Sequence, residues 1–266
     1  MKGDSPEDDV RLSLLDHLGE LRKRLVYAVY AVVIGVGAAY AFAEKILWWL
    51  MAPVLDALAR LPGAKVDGPW LAVHDSLEYF FVLLRVSLYA GFFLAAPGVL
   101  YQVWAFVSPG LYRRERSLAV PFVVLGSLAF VSGGLFARLV VLPFTLEYLV
   151  LAFAHPNLRQ VFSIGSELDF VLASLLAFGI IFELPLFLTL LAQVGVVSSA
   201  FLSKYRRHAM VVNLVAAAII TPTGDPFNLM LMAGPLIVCY ELGMLGARFV
   251  ERRKRRLETM SGTAPG

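Results

Sequence analysis

The chain has 266 residues, of which 59% are hydrophobic and 16% charged, with a mean hydropathy of +0.75. Soluble domains carry about 25% charged residues, so these values exclude a soluble globular protein and leave a polytopic membrane protein. The net charge of +3 does not argue for nucleic acid, because the basic residues flank apolar runs instead of lining a motif.

Residues 1–10 are polar, after which Leu14, Leu18, Leu21 and Leu25 recur at helical spacing with Asp16, Glu20 and Lys23 on another face. This predicts an amphipathic helix at the membrane interface, running into an uncharged span 1 over Leu25–Ala43. The connection Glu44–Asp75 is the longest, and with Trp48, Trp49, Pro53 and Pro62-Gly63 it is expected to pack outside the membrane. Asp75 with Glu78 three residues on reads as a helix start. Span 2 then carries Arg85 near its outer end and continues over Val86–Phe106.

Tyr101–Arg116 reads YQVWAFVSPGLYRRER. Aromatics (Tyr101, Trp104, Phe106) followed by a turn and Arg113, Arg114 and Arg116 mark a helix leaving the bilayer on its cytoplasmic side. Span 3 is expected from Ser117 to about Leu142, with Gly126, Gly133 and Gly134 allowing close helix approach, Pro143 near its end and Arg138 snorkelling outward. After a second outer loop through His155, Pro156 and Arg159, span 4 covers Phe170–Val194 with Glu183 near its middle.

Span 5 has only 13 uncharged residues, Ala209–Thr221, covering about 20 Å against a hydrocarbon core of about 30 Å. The turn Pro222–Pro226 follows, then span 6 over Phe227–Ala247 with Glu241 in its later part. Lys and Arg number 17 on the side that holds both termini and 4 on the other, with Arg85 and Arg138 inside spans. That asymmetry places both termini in the cytoplasm. Residues 1–266 are expected to form one membrane domain: a cytoplasmic amphipathic segment over 1–24, a six-span core over 25–247 and a basic cytoplasmic tail over 248–266.

No catalytic constellation appears. The four histidines are dispersed, and there is no HExxH, paired cysteine, Gly-rich phosphate loop or GxSxG. Neither an enzyme nor a metal or cofactor site is expected, and the lone Cys239 suits packing. Three acids stand out. Glu20 fits an i,i+4 pair with Arg24, and Glu115 fits relief of repulsion among its arginine neighbours; alternatively, both carboxylates, on one membrane side, accept a guanidinium ligand. Glu183 is costly at mid-membrane and suits a structural hydrogen bond, a polar group on a partner helix, or a proton relay.

Six ordered motifs carry a resemblance: HLGELRKRL (His17–Leu25), MAP ending at Pro53, YQVWAFVSPGLYRRER, FGIIFELP (Phe178–Pro185), ITPTGDP and YELG (Tyr240–Gly243). Over nearly its whole length the chain resembles the TatC family, a subunit of the twin-arginine translocase. The resemblance implies an all-α, cup-shaped bundle of six transmembrane helices in the bacterial cytoplasmic membrane; the residue count makes span 5 short and leaves a short span 6 as an open alternative. It also implies a receptor that binds twin-arginine signal peptides of folded proteins, recruits single-span partners of the TatA and TatB type, self-associates in a receptor complex and draws on the proton-motive force, without cofactor.

By the same resemblance Glu20 and Glu115 receive the signal's arginines, with Arg22, Phe106, Pro109, Leu111 and Tyr112 shaping the site. Glu183 becomes the membrane-embedded glutamate of partner contact, Thr221 and Asp225 belong to the partner-binding turn between spans 5 and 6, and Pro53 and Pro185 are structural. Two departures are visible: Leu229 stands where the family often has a glutamine, moving partner contact toward apolar character or onto Thr221 and Asn228, and Arg138 stands in place of an aromatic. A proton-coupled small-solute transporter using Glu183 is the competing reading, but no related halves are seen between spans 1–3 and 4–6. A polytopic membrane enzyme lacks candidate catalytic pairs.

Overall fold

The computed structural model describes residues 6–60, 71–73, 75, 77–107, 119–152, 162–221 and 225–260. Ten α-helices occur among them: α1 (Pro6–Tyr40), α2 (Ala43–Leu58), α3 (Glu78–Val107), α4 (Ala119–Phe136), α5 (Leu142–Ala152), α6 (Ile164–Phe182), α7 (Leu184–Val194), α8 (Ser199–Lys204), α9 (Arg206–Ile220) and α10 (Pro226–Met260). Five stretches are long and apolar enough to cross a membrane: Leu18–Tyr40, Glu78–Phe106, Ala119–Val150, Ile164–Val194 and Pro226–Lys254. With α9 as the short fifth member in chain order, they make the expected six-helix membrane bundle.

Several boundaries differ from the sequence reading, each for a local reason. The amphipathic segment runs into span 1 as expected, the two forming one unbroken helix, α1, since nothing between Leu18 and Tyr40 breaks a helix; that helix ends at Tyr40, not Ala43. Span 3 does not stop at Pro143. A π-helical turn at Ala137–Val141, closed by the Leu142 N–H on the Ala137 carbonyl, shifts the register ahead of this proline, and α5 runs on to Ala152. Span 4 begins earlier, at Ile164, and is interrupted at Glu183 because Pro185 occupies the first turn of α7 and supplies no N–H to α6. Of the six spans only the fifth is short: α9 has 15 residues, whereas α10, which forms the sixth, has 35.

The first part of the long connection after span 1 is helical, as α2 over Ala43–Leu58, and residues 61–70 of it lie outside the described residues. In α2, Leu47, Leu50, Met51 and Val54 are buried in the main core, and Trp48 and Trp49 are exposed. Pro53 lies inside this helix, so the Trp49 carbonyl four residues back has no backbone donor to accept from. Arg138 fills that gap: its Nε and Nη2 donate to the Trp49 carbonyl at 3.1 and 2.8 Å, and its guanidinium lies 5.0 Å from the centroid of the Trp49 ring. Arg138 therefore does not simply snorkel to solvent.

The N-terminal ends of α3 and α6 are tied together as well. The helix starts at Glu78, as the Asp75–Glu78 spacing predicted, and Glu78 Oε1 accepts from Ser163 Oγ at 2.9 Å and from the Gly165 N–H at 3.3 Å. Arg85 Nη1 reaches both oxygens of Asp169 at 2.8 Å, an ion pair between α3 and α6. A two-residue parallel ladder, Leu71 with Phe162 and Ala72 with Ser163, completes the contact at this end of the bundle.

Glycines set the helix spacing. A Cβ on Gly133 would strike the Phe178 carbonyl oxygen, so α4 meets α6 at near-backbone distance, and one on Gly134 would lie 2.6 Å from the Phe93 ring, so that glycine seats a side chain of α3. Gly35 of α1 and Gly91 of α3 meet in the same way. Burial removes α1 from lipid on one face only: Val29, Tyr30, Val33 and Ile34 remain exposed.

Candidate functional site

Glu20 lies on α1, half-buried, with its Oε1 3.3 Å from Arg24 Nη2. The predicted i,i+4 pair is thus present. Arg24 also donates from Nη1 to Gln102 Oε1 of α3 at 3.5 Å, which joins the two helices at the end from which 108–116 departs. Sequence reasoning missed Gln102; its signal was a lone amide inside an otherwise apolar YQVW turn. Arg22 is exposed and Phe106 half-buried. Tyr101 is exposed, but Trp104 is not an interfacial aromatic: it is 3% exposed and packs with Phe122, ring centroids 4.9 Å apart, and Leu190. Pro109, Leu111, Tyr112 and Glu115, with the three arginines around it, lie outside the described residues.

Glu183 occupies the break between α6 and α7. Its backbone N–H bonds the Ile180 carbonyl at 3.1 Å and its carbonyl accepts from Phe187 at 2.9 Å, so the chain stays hydrogen-bonded through the interruption. The carboxylate points toward α4, with Oε2 3.3 Å from where a Cβ of Gly126 would sit; Oε1 is buried without a hydrogen-bond partner among the described residues. An apolar cavity of about 570 Å³ opens beside this break, lined by Leu125, Ala129, Phe182, Pro185, Val238 and Leu242 of α4, α6, α7 and α10. Cys239 lines it too and is buried, in keeping with a packing role.

At the start of α10, Asp225 acts as a helix cap. Its Oδ1 accepts from the Asn228 N–H at 2.8 Å and its Oδ2 from Asn228 Nδ2 at 2.9 Å. Thr221 is buried and its hydroxyl donates to the Ala217 carbonyl at 2.7 Å. Asn228 is fully buried and Leu229 packs against the main core, so Thr221, Asn228 and Leu229 face inward in the isolated chain. Pro222, Thr223 and Gly224 lie outside the described residues. On α10, Glu241 Oε1 accepts from Arg206 Nε at 2.5 Å, which explains a second acid late in span 6.

These features define a class: a multi-pass helical membrane protein with a Glu20–Arg24 ion pair tied to Gln102 at the α1–α3 junction and an acid, Glu183, at a helix break beside an apolar cavity. Comparison with known proteins gives the particular family. The sequence profile of the Sec-independent protein translocase protein (TatC) matches residues 16–235. The TatC of Desulforapulum autotrophicum is 39% identical over 239 residues, covering 90% of this chain and 85% of that one, and the TatC of Aquifex aeolicus is 34% identical over 93% and 99%. A crystal structure of the twin-arginine translocase receptor TatC superposes with a TM-score of 0.75 at 35% identity, covering 88% of this chain and 99% of that one. The chain belongs to the TatC family, components of a protein translocase and not enzymes.

Proposed function

We propose that the chain is the core receptor of a twin-arginine translocase. In this reading it binds the twin-arginine signal peptides of folded proteins and recruits single-span TatA- and TatB-type subunits for export driven by the proton-motive force. It works as one membrane domain, self-associated in a receptor complex in the bacterial inner membrane, with both termini cytoplasmic as the 17-to-4 distribution of Lys and Arg favours. Glu20 and Glu115 receive the signal's two arginines; Arg22, Phe106, Pro109, Leu111 and Tyr112 shape the site around them. Glu183, with Thr221 and Asp225, serves partner-helix contact.

The observation that carries this reading is that the Glu20 carboxylate, at the α1–α3 junction, already engages a guanidinium, that of Arg24. A carboxylate set to hold one guanidinium is chemically suited to another, since the planar fork matches its two oxygens. Membership of a translocase family leaves the small-solute transporter without a supporting observation. The test is site-specific crosslinking of a twin-arginine signal peptide to the reconstituted chain. Glu20→Gln with Glu115→Gln is expected to abolish the crosslink while the protein stays monodisperse; undiminished crosslinking would overturn the site.

A further inference from the structure

The exposed apolar stripe of α10 consists of Val238, Leu242, Leu245 and Phe249, at spacings of four, three and four residues. Continued at helical period, the same face carries Arg252, Arg253 and Arg256, all exposed. The neighbouring charges are turned the other way. Glu251 accepts from the Ser199 N–H at 2.6 Å and from the Ser199 hydroxyl, and Lys254 donates to the Gln193 carbonyl. The helix thus sorts its basic run: the acid and one lysine face α7 and α8, and three arginines face outward below the apolar stripe.

The contact between Lys254 and Gln193 also fixes depth. Gln193 sits in the last turn of α7, whose apolar run ends at Val194. The arginines therefore begin at the level where the adjacent membrane helix leaves the hydrocarbon. Phe249, 70% exposed, lies one turn to the apolar side of that level.

We propose that Arg252, Arg253 and Arg256 bind the phosphate of an anionic phospholipid whose acyl chains lie along Val238, Leu242, Leu245 and Phe249. Guanidinium forks pair bidentately with phosphate oxygens, and a basic cluster directly beyond a membrane helix attracts anionic headgroups. Charge selects an anion, and the continuity of the arginine face with an acyl-facing stripe selects a lipid over a soluble acidic peptide. The proposal stands apart from the signal-peptide site and does not depend on it.

Native mass spectrometry of the full chain in detergent tests it, with dioleoyl phosphatidylglycerol and dioleoyl phosphatidylcholine as probes. The wild type should retain phosphatidylglycerol over phosphatidylcholine by about fivefold or more. R252Q/R253Q/R256Q should lose that preference while eluting as wild type from a sizing column, and R252K/R253K/R256K should keep most of it. An unchanged preference in the glutamine variant, or none in the wild type, overturns the proposal. Equal displacement of the lipid by free glycerol phosphate, or by an acidic peptide, overturns the lipid as the occupant.

Discussion

Arg138 completes the hydrogen bonding of a carbonyl that Pro53 leaves without a donor, that of Trp49. The relationship makes a double-mutant cycle informative. Arg138→Met should destabilise the protein by about 1–3 kcal/mol, the usual cost of leaving a polar group unsatisfied. In a Pro53→Ala background residue 53 regains an N–H for the Trp49 carbonyl, so the same change should cost clearly less. Denaturant unfolding in detergent for the four proteins measures the coupling; equal costs in both backgrounds would show that Arg138 acts through the Trp49 ring instead.

Close approach at glycine gives a second expectation. Gly133→Ala places a methyl group against the Phe178 backbone carbonyl, which no side-chain rotation relieves, so a loss of about 1–3 kcal/mol is expected from overpacking. Gly37→Ala meets nothing within 4 Å and sits within α1, so it should be neutral or stabilising. A lower midpoint for Gly37→Ala than for Gly133→Ala would contradict the role given to α4–α6 contact.

The bundle was legible because burial in lipid writes a long signal: runs of about 20 apolar residues and lopsided flanking charge. Interruptions of that signal were misread. Pro143 suggested an end, but a π turn can absorb a proline where neighbouring helices hold the chain. Arg138, Arg85 and Glu241 each looked solitary along the sequence, because their partners Trp49, Asp169 and Arg206 lie 35 to 89 residues away. Trp104 looked like a boundary aromatic since composition does not say which way a ring points. Of the candidate site, Glu20 and its Arg24 pair were readable from i,i+4 spacing, whereas Gln102 required the packing of α1 on α3.

That pair sets a limit on competition at Glu20. An i,i+4 ion pair stabilises by about 0.2–0.5 kcal/mol, so Arg24 cannot hold the carboxylate against a bidentate ligand. Arg24→Gln should tighten binding of a twin-arginine peptide by no more than about twofold, as measured by titration with a fluorescent peptide. Loss of binding would instead make Arg24 the residue that positions Glu20, with Gln102 as its anchor.

Glu183 offers the sharpest separation of binding from transport. Its carboxylate lies in a helix break beside an apolar cavity, far along the chain from Glu20 and oriented toward α4. Placing an acid between membrane helices costs about 2.5–3.5 kcal/mol, so a purely structural acid should be replaceable with little harm. Glu183→Ala is therefore expected to fold and to crosslink the signal peptide as wild type, yet to impair export of a folded reporter in cells and to change crosslinks from α7 to a single-span partner. Glu183→Gln keeps the shape and one hydrogen-bonding oxygen; if it restores export, partner contact is by hydrogen bond, and if it does not, the acid itself is required. Normal export by Glu183→Ala would return the residue to a packing role at the helix break.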